Sequence, residues 1–369
     1  MPVSPDMAED LASAVASLYE QAELSLIEKV ASALAEGLGS PRWAVLRIQS
    51  IGSLRTAIED IIAALQTASV PAIHRAVAEA YNRGAQAAVV ELGALAPTVA
   101  TIPAGTQAVD QLAAALVQET GATHQRILRQ GLDVYRQVIA EATSAPLLGA
   151  TTRREAAGRA LARFAGKGVT GFVDRAGRAW NLTSYAEMAT RSALGRAAVD
   201  AHTDRMAASG IDLVIVSDAP EKCARCKPWE GKVLRREGPS GAGIVEVEHA
   251  TEDGRMVRVR VAGSLLEARA AGLLHPNCRH SVSSYLPGVT RALPSKVDRT
   301  RATYEQSQQQ RYFERQVRRW KREAAGAMDE KKKAQANARV RAYQGRIREL
   351  VAESGLPRKS HREQLTGPR

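Results

Sequence analysis

Two short segments, CARC at Cys223–Cys226 and HPNCRH at His275–His280, hold all three cysteines of the chain and two of its seven histidines. This arrangement constrains the fold more than any other feature, because a shared site would close a loop of some fifty residues. A C-x-x-C turn sets two thiolates about one metal diameter apart, and a second knuckle with one more thiolate and an imidazole completes a tetrahedron for zinc. Cys223, Cys226 and Cys278 supply the sulfurs. The fourth ligand is either His275, spaced H-x-x-C, or His280, spaced C-x-H. Pro276 and the end of a preceding helix favour His275, and His280 stays as the alternative.

An odd cysteine count excludes complete pairing into a disulfide framework. CARC is followed by Lys227 and Pro228 in a loop and opens no helix after a βαβ strand, which speaks against a thioredoxin-like redox motif. Three thiolates and one imidazole would close the metal shell, so the expected role of zinc is structural and no catalytic residue is assigned. A metal-dependent nuclease or other hydrolase is the alternative. It would need a general base near the metal, and His249, Glu252 and Asp253 in a TEDG turn are the nearby candidates.

The chain carries 369 residues, 45% of them hydrophobic but only 4% aromatic, which favours helices packed through small side chains. No uninterrupted apolar run reaches the roughly 20 residues of a membrane span. The N-terminus is acidic and amphipathic, where a secretory leader is basic and then apolar. The expectation is a chain made in the cytoplasm, with no membrane partner.

The expected class is mainly α with a smaller α+β module, in three regions: helical 1–168, α+β 169–288 with the zinc knuckle, and a basic helical tail 289–369. In the first region, periodicity predicts helices ending near Gly37, over Ala44–Leu65, and over Val70–Gly93 after a start signal at Pro71. APTVATIPAGT, residues 96–106, reads as a surface connection, and a helix pair over 107–143 breaks near Gly121. Thr152 with Glu155, Ser184 with Glu187 and Ser264 with Glu267 each match a capping box. GFVDRAGRAW predicts a hairpin turning at Asp174–Gly177, and DLVIVSD, GKVLR, IVEVE, MVRVRVAG and SVSSYLP predict further strands.

The net charge of +12 lies in the tail: from Lys296 to Arg369 there are 20 Lys and Arg against 9 Asp and Glu, leaving 31 against 30 elsewhere. Arg315, Arg318, Arg319, Lys321, Arg322, Lys331, Lys332 and Lys333 are the candidate contacts to DNA phosphates or to an acidic protein surface. A non-specific nucleic-acid-binding module carried by the tail is a further alternative function. Phe313, Val317, Trp320 and Ala324, and Val340, Tyr343, Ile347 and Leu350, form narrow apolar stripes that require a partner surface.

The ordered succession GFVDRAGRAWNLTSYAEMATRSA, DLVIVSDAPEKCARCKPWEGKVL, HPNCRHSVSSYLPG, YEQSQQQRYFERQVRRWKR and VRAYQGRIRELVAESGLPRKSHREQ resembles phage minor capsid proteins of the Mu F-like head morphogenesis group. It is closest to the minor capsid type of phages and prophages of Gram-positive bacteria. The resemblance runs from about Val169 to Gln364, with Asp174, Gly177, Trp180, Tyr185 and Arg191 in its hairpin and helix. Cys223, Cys226, His275, Cys278 and His280 fall in its knuckles. It implies a non-enzymatic structural protein of the virion, assembled in the host cytoplasm in few copies inside the capsid near the portal. The implied partners are portal, major capsid or scaffold protein, and packaged DNA bound without sequence specificity.

Overall fold

A computed structural model describes residues 3–93, 106–147, 151–170, 172–173, 179–218, 224–275, 278, 280–290 and 304–363. Cys223, the hairpin turn at Asp174–Gly177 and almost all of the 96–106 connection lie outside these residues. The chain is 70% helical with a small sheet module at its centre, so it is mainly α with an α+β module. The described residues gather into two compact units. The first comprises 1–12, 73–116 and 190–304, and the second 13–72, 117–189 and 305–369.

The first unit contains the sheets. Strand β3 (Leu213–Val216) lies between β4 (Val233–Arg235) and β7 (Val282–Ser284), both antiparallel to it. Val214 faces Leu234 on one side and Ser284 on the other. The alternation of a strand then sends side chains to two cores. Val214, Val216, Leu234 and Val282 pack with Met206, Leu265, Ala268 and Leu273, whereas Leu213 and Val233 pack with Val259 and Val261. The latter belong to a separate hairpin, β5 (Gly243–Glu248) with β6 (Met256–Val261). Its inward valines alternate with exposed Glu246, Glu248, Arg258 and Arg260, as a half-buried strand requires.

Helix α8 (Leu265–Ala270) opens on the predicted box: Ser264 accepts the Glu267 N–H, and the Glu267 carboxylate accepts the Ser264 N–H. Gly272 then turns the chain at φ 107°, a region that favours glycine, and the segment leads into the second knuckle.

The second unit is helical apart from the short hairpin β1 (Phe172–Val173) with β2 (Ala179–Trp180). It holds α2 (Trp43–Gln49), α5 (His124–Leu147), α6 (Arg153–Lys167), α9 (Tyr304–Ala325, from residue 305) and α10 (Glu330–Ser354). Parts of α1 (Glu9–Ala35), α3 (Ile51–Leu92), α4 (Thr106–Gly121) and α7 (Leu182–Ala208) also belong to it. Gly131 of α5 sits where a Cβ would meet Ile58 Cδ1 at 2.9 Å and Leu26 Cδ1 at 3.1 Å, so its missing side chain lets three helices close. The stripes predicted on the tail meet each other: Phe313 and Val317 of α9 pack with Val340, Ile347 and Leu350 of α10, flanked by Trp320 and Tyr343.

Three local expectations give way. Helix α3 runs unbroken through Pro71, where a new helix was expected to start. Proline removes one backbone donor, but buried residues continue on both sides of it, Leu54, Ile58 and Leu65 before and Ile73, Val77 and Ala80 after. The Ala44–Leu65 helix divides between α2 and α3 at Ser50. The Ser184–Glu187 box is replaced one turn earlier: Asn181 accepts the Ser184 N–H at 2.8 Å, and α7 starts at Leu182. By length and composition α3 is also long and apolar enough to cross a membrane, which a search for uninterrupted apolar runs does not register.

Candidate metal centre and the basic C-terminal helices

Cys226 Sγ lies 3.6 Å from Cys278 Sγ, and Cys278 Sγ lies 3.3 Å from His280 Nδ1. The donor atoms of these three residues all fall within 4.8 Å of one another, and all three residues are buried. Cys226 ends a turn whose carbonyl accepts the Trp229 N–H at 2.9 Å, above a single turn of 3-10 helix at Lys227–Trp229. Cys278 is set by its own N–H, which donates to the His275 carbonyl at 2.7 Å. Both cysteines are part of the core formed with Val214, Leu265 and Leu273.

Two sulfurs at 3.6 Å are not a disulfide, whose bond is about 2.05 Å. They do fit a shared ion. Zn–S bonds of about 2.3 Å and Zn–N bonds of about 2.0–2.1 Å give tetrahedral edges of about 3.8 Å between sulfurs and about 3.5 Å from sulfur to nitrogen. The observed separations are within a few tenths of an ångström of both edges.

The outer nitrogen of His280 is also committed. Its Nε2 is 2.9 Å from Glu230 Oε1, and that carboxylate is itself 8% exposed. A carboxylate on the far nitrogen fixes the ring and leaves Nδ1 as the electron-pair donor, the arrangement of a ligating histidine. In the absence of a metal the same contacts set the charge of the two side chains. The hydrogen bond with Cys226, followed by the His280 contacts, holds the Cys278 thiol well below the usual thiol range against the opposing effect of burial. Burial opposes charge on His280, but its bonds to Cys278 and Glu230 outweigh burial and raise its pKa.

Of the five residues expected to make the knuckles, the structure thus brings together Cys226, Cys278 and His280. His275 is half-buried and outside this group, and its carbonyl shapes the turn; Cys223 lies outside the described residues. Glu230 escaped the sequence reading because no ligand-spacing rule includes it; its only local signal is an acidic residue four positions after Cys226. The hydrolase candidates are arranged differently. Glu252 is held by Arg255 through two contacts of 2.8 Å, and His249 Nε2 is 3.5 Å from the same carboxylate, an ion-paired turn in the loop between β5 and β6.

The eight basic tail candidates divide by environment. Arg318 is buried, with its guanidinium 3.4 Å from Glu20 and 3.2 Å from Glu187. Arg322 is buried as well: it donates to the carbonyls of Ala165 at 3.0 Å and Gly166 at 3.3 Å and lies 3.6 Å from Glu23. These two cations anchor α9 within its own unit and do not face solvent. Glu23 is further bonded by the Val169 N–H and the Thr183 hydroxyl. Burial, only partly offset by Arg318, pushes the Glu20 carboxyl up to about 7. The signal for this cluster is legible in retrospect as Glu20 and Glu23, three residues apart within an apolar helix face. Lys321 is half-buried, and burial lowers its pKa. Arg315, Arg319, Lys331 and Lys333 are exposed, with Arg319 paired to Glu323 and Lys333 to Glu330, and half-buried Lys332 pairs with Asp329.

The sequence model of the family described as phage minor capsid protein 2 matches residues 3–352. A structural protein of Lactococcus phage LL-H is 28% identical over 246 residues, 63% of this chain and 62% of that protein. The chain therefore spans just under two thirds of the length of this relative. A structural protein of Lactococcus phage mv4 is 37% identical over 101 residues, 26% of this chain and 82% of that protein. No solved structure matches the chain.

Proposed function

Because the chain belongs to the phage minor capsid protein 2 family, we propose that it is a low-copy structural component of a tailed-phage head, seated inside the shell near the portal vertex. The family match over 3–352 carries this reading, since it takes in both units and both knuckles. The two phage structural proteins similar to it support the same role. The ordered motifs from the 172–180 hairpin to α10 support placing it with the Mu F-like head morphogenesis group.

Within that role, Cys226, Cys278 and His280 hold a structural zinc ion, with Cys223 as the fourth ligand. A zinc ion bound there ties the C-x-x-C loop to the segment after α8. The burial of the three donors in the core of the first unit supports a structural and not a catalytic ion. The chain is not an enzyme in this reading. Its partners are the portal, major capsid or scaffold protein, and the packaged DNA through non-specific phosphate contacts.

Quantitative mass spectrometry of purified virions tests the placement. The expected result is a few copies per particle, resistant to protease until the shell is opened. Absence from mature particles, or a copy number equal to that of the major shell protein, would contradict it.

A further inference from the structure

From Lys331 to Arg348 helix α10 carries seven Lys and Arg and no Asp or Glu. At 3.6 residues per turn, Arg339 and Arg346 fall on one edge of the helix and Arg341 and Arg348 on the opposite edge. The seam of Ala336, Val340, Ile347 and Leu350 is buried on the side between them. All four arginines are exposed, and among the described residues none has a carboxylate within ion-pair distance. This separates them from Arg318 and Arg322, which are used up by internal carboxylates and carbonyls.

One edge is pre-set. The Arg339 guanidinium lies over the Trp320 ring at 5.8 Å and that of Arg346 over the Tyr343 ring at 5.0 Å. A guanidinium stacked on an aromatic face keeps its N–H edge available for bidentate contact to a phosphate, with less side-chain freedom left to lose. Seven residues of helix separate the members of each pair by about 10 Å, the axial rise of about three base pairs of duplex DNA. Between the two edges, the outward ridge of Ala334, Ala338 and Ala342 is exposed and small, so it does not hold the helix away from a flat polyanion.

We propose that this face of α10, through Arg339, Arg341, Arg346 and Arg348, is a binding site for the phosphate backbone of duplex DNA. The proposal deepens the virion reading above, on which it rests, by naming the anion and the residues that take it. Duplex DNA is favoured over an acidic protein by what the face lacks. Protein interfaces need buried apolar or aromatic anchors at their centre, and no exposed large hydrophobic residue lies between Lys331 and Arg348.

The test is fluorescence anisotropy of the full chain with a labelled mixed-sequence duplex, titrated at several salt concentrations. The variant changes all four arginines to Gln, and circular dichroism verifies its fold. A charge-matched control changes exposed Arg154, Lys232, Arg258 and Arg260 to Gln. The α10 variant should lose affinity at least about tenfold, and its slope of log affinity against log salt should become shallower by about 3 to 4, near 0.9 for each lost phosphate contact. The control should retain most of both. Equal losses in the two variants would overturn the proposal in favour of general charge attraction. Displacement of the duplex by polyglutamate as readily as by unlabelled DNA of equal charge would overturn it in favour of an acidic protein partner. Failure of the native chain to bind duplex at low salt would overturn it outright, whereas the virion reading falls only with the particle composition measured separately.

Discussion

Glu230 Oε1 lies 2.9 Å from His280 Nε2, and this contact decides which histidine nitrogen faces the cysteines. With the far nitrogen held, Nδ1 stands 3.3 Å from Cys278 Sγ, close to the edge of a zinc tetrahedron. The carboxylate would act on a bound metal only through the ring, as a positioning residue. Glu230→Gln, which retains the shape but removes the charge, should weaken zinc binding by about 10- to 100-fold in a chelator competition. The structure leaves His275 outside the group, so His275→Ala should leave the competition curve in place. An unchanged affinity in Glu230→Gln would show that the contact does not tune the site.

The second unit predicts a pH dependence of the opposite sign to an ordinary paired carboxylate. Glu20 is raised from 4.5 to about 7 by burial, with Arg318 opposing. The folded chain therefore keeps a proton on Glu20 that the unfolded chain has released. Its contribution to stability is complete below the unfolded value and is lost as pH rises through about 7. Urea midpoints of the native chain should fall between about pH 5 and pH 8 relative to those of Glu20→Gln, which cannot titrate there. Parallel profiles for the two proteins would contradict the assignment.

The start of α7 offers a sharper local comparison. Asn181 accepts the Ser184 N–H as the helix cap, while Glu187 is engaged with Arg318. Asn181→Ala should cost about 1 kcal/mol in thermal or urea unfolding, and Ser184→Ala should cost only a few tenths. The reverse order would restore the box read from the sequence.

These cases also show what the sequence makes legible. The boxes at Thr152 and Ser264 form as read because both halves of each interaction lie within one turn, and the further donors to each glutamate, Thr151 to Glu155 and Gly241 to Glu267, do not draw the carboxylate away from its cap. At Ser184 the same pattern fails because two stronger local and distant partners intervene: Asn181 three residues earlier, and Arg318, which lies 131 residues away in the chain. Pro71 is a true local signal overridden by buried residues on both sides. The fates of Arg318 and Arg322 follow from carboxylates on α1 and α7, which no reading of the tail alone contains.

The metal site is divided in the same way. The residue types and the spacing within each knuckle are local and could be read directly. The choice between His275 and His280 depends on Glu230, fifty residues from His280 in sequence, and on the turn that Cys278 makes with the His275 carbonyl. Spacing rules carry no information about such a partner.

The most direct test is elemental mass spectrometry on the full chain, purified without chelator or added metal, beside Cys226→Ser, His275→Ala and His280→Ala. One zinc per chain, lost in Cys226→Ser and His280→Ala and retained in His275→Ala, is the predicted result. A metal-free native chain, or zinc that survives His280→Ala but not His275→Ala, would contradict the site built here from Cys226, Cys278 and His280.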